Sequence, residues 1–340
     1  MVLLQHSLEF KRPHSHSSTD GKHLSNEDVH SLVAPKQDHL SAVHGFLASH
    51  GLDAVGLTPN NDFLQVTVTV DKAEDILSCE YLKMTHEESG TEAYRTLAYH
   101  LPSAVSEAVD FVYPALHLPR VAKKIATLPR NAESPKFGNS PSHLRQLYSV
   151  DTVGKVDENK MAVTAFLDQH FHSTDLKEFW TLFCGGGLTC GKGDVITKGD
   201  GVSGLSAGVE SMLDIESITG VAGNITAEFW GYSGKSSDNA NNEPFMKWLT
   251  AMSNTSDADI PKIFSTSYGE DETSWSIEAA TRMNTEFMKA GARGITLLYA
   301  AGDEGGEFFL SFFLSFFLSV CLSVCLSVCL SVCLSVRLFF

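Results

Sequence analysis

The second half of the chain shows short apolar runs that alternate with longer amphipathic stretches. NITAEFWGY (224–232), IPKIFSTSY (260–268) and GITLLYAAG (294–302) are typical of strands, and we expect the last of them to be buried. EPFMKWLTAMS (243–253) and SIEAATRMNTEFMKAGA (276–292) lie between them and repeat their apolar residues at helical spacing. Alternation of strand and helix predicts an α/β domain with a parallel sheet.

The pattern over residues 21–127 is different and predicts a small α+β domain. Ser25 precedes Asp28 in the arrangement of a helix capping box, and residues 38–52 have the apolar spacing of a helix that ends at Gly51. DFLQVTVTV (62–70) alternates as a strand. A short helix at DKAEDIL and strand-like pieces near EYLKMTH and AYRTLAYHL follow it.

Three further segments complete the predicted organisation. Residues 1–20 are expected to be an irregular N-terminus. Residues 128–140 are rich in Pro, Ser, Asn and Gly, which predicts an exposed linker and a cleavage region. A partial enzyme-like domain is expected over 141–306, followed by a low-complexity tail at 307–340.

The tail repeats a four-residue unit, FFLS three times and then VCLS four times. Three copies of a four-base unit fill four codons, so we interpret this segment as translated simple-repeat DNA. The alternative is a membrane span, because the repeat carries no charge before Arg337 and exceeds the roughly 20 apolar residues that cross a bilayer. A membrane is therefore a partner only if the repeat is real.

Composition excludes some classes of function. The formal charge is −16 without any basic run, which argues against nucleic acid as a partner. Only three cysteines precede the tail, so we expect neither a disulfide framework nor a zinc site. Sequons at Asn224 and Asn254 would suit a secretory glycoprotein. The first residues do not have the pattern of a signal peptide.

Three acids are candidates for catalysis. Glu210 and Asp214 are spaced i,i+4 in SAGVESMLDIESITG and share a face of the predicted helix. Asp303 follows the last apolar run, at the carboxyl end of that strand. Carboxylates that lie close together do not all ionise at the usual pH, which is useful for acid–base chemistry. An ordinary solvated helix face and a turn residue explain the bare spacing equally well.

The runs GVESMLDIESITG, IFSTSYGEDE and GITLLYAAGD resemble the sedolisin family of serine-carboxyl peptidases, in both order and spacing. The resemblance extends over about residues 21–306 and is strongest to the lysosomal members that release tripeptides from peptide N-termini. It implies a subtilisin-like parallel sheet with helices on both faces, here incomplete. A ferredoxin-like α+β propeptide domain is expected before it, and this propeptide holds the zymogen inactive.

The resemblance also implies roles for residues. Glu210 matches the glutamate that takes the proton of the serine nucleophile, and Asp214 the aspartate that orients it. Asp303 matches the acid that donates a hydrogen bond to the oxyanion, and low pH suits that role because the donor must be protonated. Ser267, Tyr268 and Gly269 resemble the substrate-binding strand, whose backbone pairs with peptide. A lysosomal location is implied too.

The sequence departs from the family in its last part. No Gly-Thr-Ser, the family's nucleophile motif, occurs in the chain, and no calcium loop is recognisable, although calcium is expected for the full-length family. The residue after Asp303 is Glu304, where the family usually has serine. We therefore expect no peptidase activity from this chain. The alternative is a non-catalytic, propeptide-bearing binding protein.

Two other hypotheses rest on isolated motifs. Gly186 to Gly193 nearly matches a phosphate-binding loop, but it lacks the hydroxyl that holds magnesium. A thiol at Cys184 or Cys190, served by His170 or His172, would be a cysteine nucleophile. Neither has a counterpart in the sedolisin resemblance.

Overall fold

The computed structural model describes residues 2–4, 23–87, 90, 92–118, 139–150, 159–184, 189–202, 207–236, 242–270 and 274–302. Asp303, the repeat tail and most of the predicted linker lie outside these residues. None of the described helices combines the length and the apolar character needed to cross a membrane.

The first domain is built on a four-stranded antiparallel sheet. Its elements are β1 (Val2–Leu4), α1 (Asn26–Leu32), α2 (Gln37–Ser49), β2 (Val55–Gly56), β3 (Phe63–Gln65), α3 (Val70–Leu77), β4 (Leu82–Thr85), β5 (Glu92–Arg95), α4 (Ser103–Ser106) and β6 (Val109–Val112). The strand order β2-β3-β1-β6, with helices between the first and second and between the third and fourth strands, is that of a ferredoxin-like domain. The hairpin of β4 and β5 is an addition to it.

Local sequence explains most of these boundaries. The capping box at Ser25 and Asp28 forms as predicted and begins α1. The strand expected over 62–70 is shorter, because the Thr69 side chain accepts a bond from the Lys72 amide and begins α3 at Val70. β1 falls in the stretch expected to be irregular, where it fills the place between β3 and β6.

The second domain contains a five-stranded sheet in which all strands are parallel. Its elements are α5 (Pro141–Leu147), β7 (Lys160–Ala165), α6 (Ser173–Phe183), β8 (Ile196–Lys198), α7 (Val209–Ala222), β9 (Thr226–Gly231), α8 (Phe245–Asn254), β10 (Ile263–Thr266), α9 (Ile277–Ala292) and β11 (Thr296–Tyr299). The strand order is β11-β10-β7-β9-β8. The predicted parallel sheet is confirmed.

Helices cover both faces of this sheet, as the resemblance implied. Phe229 of β9 packs with α6 and α7 on one face, while its neighbour Trp230 packs with α8 and α9 on the other. Both side chains are fully buried. Successive side chains of a strand point to opposite faces, so one strand contributes to two cores.

The prediction that GITLLYAAG is a buried strand is wrong. β11 is an edge strand of the described sheet, and Leu298 and Tyr299 remain 53% and 36% exposed. Its apolar run is of the kind that occurs in strands covered on both sides. Within the described residues no strand lies beyond it.

A buried group of charged side chains joins the two domains. Asp62, just before β3, accepts bonds from Arg282 (2.6 Å) and Lys289 (2.5 Å) of α9, and both cations also bind Glu286. All four side chains are at most 4% exposed. The Arg282 guanidinium also lies 4.2 Å from the centre of the Phe63 ring. The first domain is therefore packed directly against α9.

Candidate active site

The start of α7 is fixed to the carboxyl edge of the sheet. Leu167 and Asp168 follow β7 with positive φ angles of 56° and 58°, which turns the chain sharply at this edge. The carbonyl oxygen of His170 then accepts bonds from the Gly208 amide, at 2.8 Å, and from the Ser211 hydroxyl. Ligands of parallel α/β sheets bind at this edge.

Gly208, the residue before α7, allows the close approach. A Cβ at this position would lie 1.9 Å from the Gln169 side-chain oxygen. A larger residue would therefore displace the flexible end of the Gln169 side chain. The first turns of α7, which carry Glu210 and Asp214, are held in place by the bonds to the His170 carbonyl oxygen.

Asp214 is directly linked to the end of β10. The Ser267 hydroxyl, one residue beyond that strand, donates to Oδ1 of Asp214 at 2.6 Å. The Asp214 side chain is half-buried, and its Oδ2 is buried with no hydrogen-bond partner among the described residues. Glu210, also half-buried, lies one helical turn earlier. The structure therefore brings Glu210, Asp214 and Ser267 to one place.

The pKa of Asp214 is raised to about 6. Burial is the largest cause because it penalises the charged form, and the negative charge of Glu210 adds to it. The bond from Ser267 opposes both effects by stabilising the carboxylate. Asp214 therefore holds a proton under mildly acidic conditions in which an ordinary aspartate is ionised.

Tyr268 and Gly269 differ in their surroundings. Tyr268 is buried, and burial raises the pKa of its phenol, with smaller contributions from Asp214, Glu210 and Glu243. Gly269 is exposed and has no other heavy atom within 4 Å of where a side chain would begin. Packing therefore does not require glycine at this position, which leaves room for another chain beside the backbone.

Asp303 lies outside the described residues, so its role stays a prediction. The strand that leads to it ends at the expected edge, because Tyr299 of β11 pairs with Thr266 of β10 in parallel. The ends of β10 and β11 therefore lie side by side.

The two rival hypotheses fail on the structure. Cys184 and Cys190 form a disulfide, so neither provides a thiol nucleophile. Their sequence separation is 6, and their Cα atoms lie 5.7 Å apart. The glycine-rich segment has α6 before it and β8 after it, whereas a phosphate-binding loop connects a strand to a following helix.

The predicted sequons lie on the surface. Asn224 is exposed just before β9. Asn254 is also exposed, and its side-chain nitrogen donates to the carbonyl oxygens of Leu57 (2.6 Å) and Thr250 (2.8 Å). This nitrogen is the atom that would carry a glycan, and the Leu57 bond reaches the first domain.

Calcium has no assigned place in the described part of the chain. Among those residues no three His, Cys, Asp or Glu side chains meet as metal ligands would.

The sequence did not predict two side-chain contacts in addition to the disulfide. It assigned Ser267 a backbone role, whereas the hydroxyl contacts Asp214. It also missed the Asp62 group. The only signal for that group was the spacing of Arg282, Glu286 and Lys289, which places them along one face of α9.

Comparison with known proteins shows which proteins this chain is similar to. Residues 3–118 match the family model "Pro-kumamolisin, activation domain". Tripeptidyl-peptidase 1 of Mus musculus is 36% identical over 293 residues, which cover 84% of this chain and 51% of that protein. The Homo sapiens protein is 33% identical over 298 residues, with the same coverage.

The chain thus spans about half the length of the curated relatives that it matches. A solved Pseudomonas sedolisin is 20% identical, with a TM-score of 0.34 over 49% of this chain and 45% of that one, a similarity too low to support any argument. The activation-domain match and the extended identity to tripeptidyl-peptidase 1 place this chain in the sedolisin family of serine-carboxyl peptidases.

Proposed function

We propose that this chain carries the acid–base part of a serine-carboxyl peptidase that releases tripeptides from peptide N-termini in an acidic compartment such as the lysosome. The observation that carries the proposal is the contact of Ser267 with Asp214, one helical turn from Glu210, at the carboxyl edge of the sheet. A raised pKa at Asp214 suits a site that works under acidic conditions.

In this proposal each acid has one task. Glu210 is the general base, because its charged form accepts a proton. Asp214 keeps its own proton and shares it with Glu210, so it does not compete for the proton that Glu210 accepts. Asp303 donates to the oxyanion while it is protonated. The exposed backbone at Gly269 pairs with the peptide in an extended conformation. The first domain, packed against α9, acts as the inhibitory propeptide.

The 340 residues contain no Gly-Thr-Ser, and we propose that the chain as given performs no covalent catalysis. The buried Asp62 group favours a second candidate function, that of a non-catalytic protein whose two domains stay together. Such a protein would bind peptides or an active relative without cleaving them.

The test is an assay of the purified full chain on peptides with free amino ends, from pH 3 to 7. We expect no tripeptide above the uncatalysed rate, together with peptide binding that Gly269→Pro weakens, because proline removes a backbone donor from the pairing edge. Absence of peptide binding at every pH would contradict the proposed site.

Glu210→Gln and Glu278→Gln make a matched pair of variants, because both glutamates lie in the first turn of a helix. Tripeptide release that falls roughly 10²–10⁴-fold in Glu210→Gln but not in Glu278→Gln would show that the chain is active after all. It would overturn the proposed inactivity and assign the base at the same time.

A further inference from the structure

The end of β10 holds the Ser267 hydroxyl in a defined position. Thr266 is 1% exposed, and its hydroxyl accepts a bond of 3.0 Å from that of Thr164 in the adjacent strand β7. Ser267 follows immediately and, as the side-chain direction alternates, lies toward α7 and Asp214. The serine therefore reaches Asp214 from a fixed strand end.

The two carboxyl oxygens of Asp214 have different surroundings. Oδ1 accepts the hydroxyl proton of Ser267, whereas Oδ2 is buried without a partner among the described residues. A serine hydroxyl has one proton to donate, so it fixes one oxygen as the acceptor. Titratable groups that face this carboxyl in the described part of the chain are Glu210 on α7 and Tyr268 beside Ser267.

We propose that the Ser267 hydroxyl is a positioning group which orients the Asp214 carboxyl and directs its proton to Oδ2. This inference rests on the proposed function, in which Asp214 shares a proton with the base Glu210. Without the hydroxyl, either oxygen could hold the proton and the carboxyl could rotate. Ser267 thus acts through Asp214 and does not react itself.

The same residue begins the segment that is expected to bind substrate. Ser267, Tyr268 and Gly269 are consecutive, so a peptide that pairs with this backbone would lie beside the residue whose side chain contacts Asp214.

The experiment is a carbon-13 NMR titration of the aspartate carboxyl groups in the intact chain, with the Asp214 signal assigned by its loss in Asp214→Asn. Removal of a hydrogen bond to a charged group destabilises the carboxylate. We expect the pKa of Asp214 to rise by about one pH unit in Ser267→Ala and to stay unchanged in Ser267→Thr, which keeps the hydroxyl.

Ser256→Ala is the matched control, because the Ser256 hydroxyl binds the exposed Asp259 carboxylate at 2.7 Å, and its removal should leave Asp214 unaffected. An unchanged pKa in Ser267→Ala, or an equal rise in Ser267→Thr, overturns the proposal. If Ser267→Ala does not fold, Ser267→Cys replaces it. Its thiol is a weaker donor, so the pKa must rise relative to Ser267→Thr.

This titration does not depend on peptidase activity. A chain that neither binds nor cleaves peptide would contradict the proposed function while the Ser267 effect on Asp214 remained measurable. An effect absent in a peptide-binding chain would contradict only the positioning role. The two proposals therefore fail separately.

Discussion

Three influences act on the pKa of Asp214: partial burial, a nearby negative charge and one hydrogen bond. They do not all shift this pKa in the same direction. Burial and Glu210 favour the neutral carboxyl, whereas the Ser267 hydroxyl favours the carboxylate. The result is a pKa of about 6, compared with the ordinary value of 3.8. A raised pKa in the folded state also makes stability depend on pH.

The sign of this dependence follows from proton binding. Between about pH 4 and pH 6 the folded state keeps the Asp214 proton while the unfolded state has lost it, so the free energy of unfolding falls as the pH rises. We expect Asp214→Asn, which does not titrate, to remove about 1–2 kcal/mol of this fall, after allowance for partial exposure. Urea denaturation at pH 4, 5, 6 and 7 measures it.

Asp259→Asn is the control for this prediction, because Asp259 also accepts a serine hydroxyl but is exposed. It should leave the pH dependence as it is in the unmodified chain. An equal change in the free energy of unfolding between pH 4 and pH 6 with and without Asp214 would contradict the raised pKa.

At the residue scale the sequence predicted the acids but not their contact. The i,i+4 spacing of Glu210 and Asp214 depends only on helix geometry, and α7 forms where it was expected. The bond from Ser267 joins residues 53 positions apart, and nothing local in the sequence specifies it. The Cys184–Cys190 disulfide was missed as well, because the sequence does not specify how close the two cysteines lie in the fold.

Among the elements, α9 shows where periodicity is informative and where it is not. Its boundaries agree with the prediction to within one residue, because Ser276 caps the helix and the apolar spacing is regular. The same pattern would place Arg282, Glu286 and Lys289 in solvent, yet they are buried. Their partner Asp62 is 220 residues from Arg282, in the other domain.

Asp62 is the anion between two buried cations, and its removal leaves both without adequate compensation. We expect Asp62→Ala to lower the free energy of unfolding by about 3–5 kcal/mol, because an unpaired buried charge is more costly than the pair is stabilising. Chemical denaturation at pH 7 measures the change. The Thr58 hydroxyl donates to Asp62 in the unmodified chain. It carries no charge, so it does not replace the lost carboxylate in the variant.

Asp75→Asn is the matched control, since Asp75 pairs with Lys72 at 2.9 Å on an exposed surface of the same domain. Exposed pairs contribute little, so this variant should unfold almost like the unmodified chain. Equal stability of Asp62→Ala and Asp75→Asn would show that the buried group does not hold α9 against the first domain.

β11 marks the limit of what a strand's composition predicts. An apolar run indicates that the strand is suited to burial, but the elements that bury it are specified elsewhere. In the described sheet β11 is at the edge, next to β10; Leu298 stays exposed, whereas Leu297 packs against the core. The type and position of the strand were predicted correctly, and its environment was not.

Across the whole molecule, contacts tie both ends of the first domain to the second. Near its start, the Asn26 amide binds Asp257 at 2.6 Å and the Leu24 amide binds the Ala292 carbonyl at 2.9 Å. Near its end, the Tyr113 hydroxyl lies 2.7 Å from that of Ser236. Together with the Asp62 group, these bonds hold the two domains together without the help of the linker that connects them.

This independence leads to a prediction about cleavage between the domains. The composition of residues 128–140 predicts an accessible linker, and Arg130 and Lys136 within it are trypsin sites. After limited digestion at pH 7 we expect two fragments that elute together from a size-exclusion column. Buried hydrogen-bonded charges and apolar side chains hold them, so one peptide-bond cut does not separate them.

The Asp62→Ala variant, digested in the same way, should elute as two separate species. It loses the bonds that cross the interface from Arg282 and Lys289, and Glu286 alone then faces two buried cations. Asp75→Asn should behave like the unmodified chain. Fragments of the unmodified chain that separate at pH 7 would mean that the linker, and not the interface, keeps the domains together. Such a result would contradict a stabilising role for the bonds that Asp62 makes with α9.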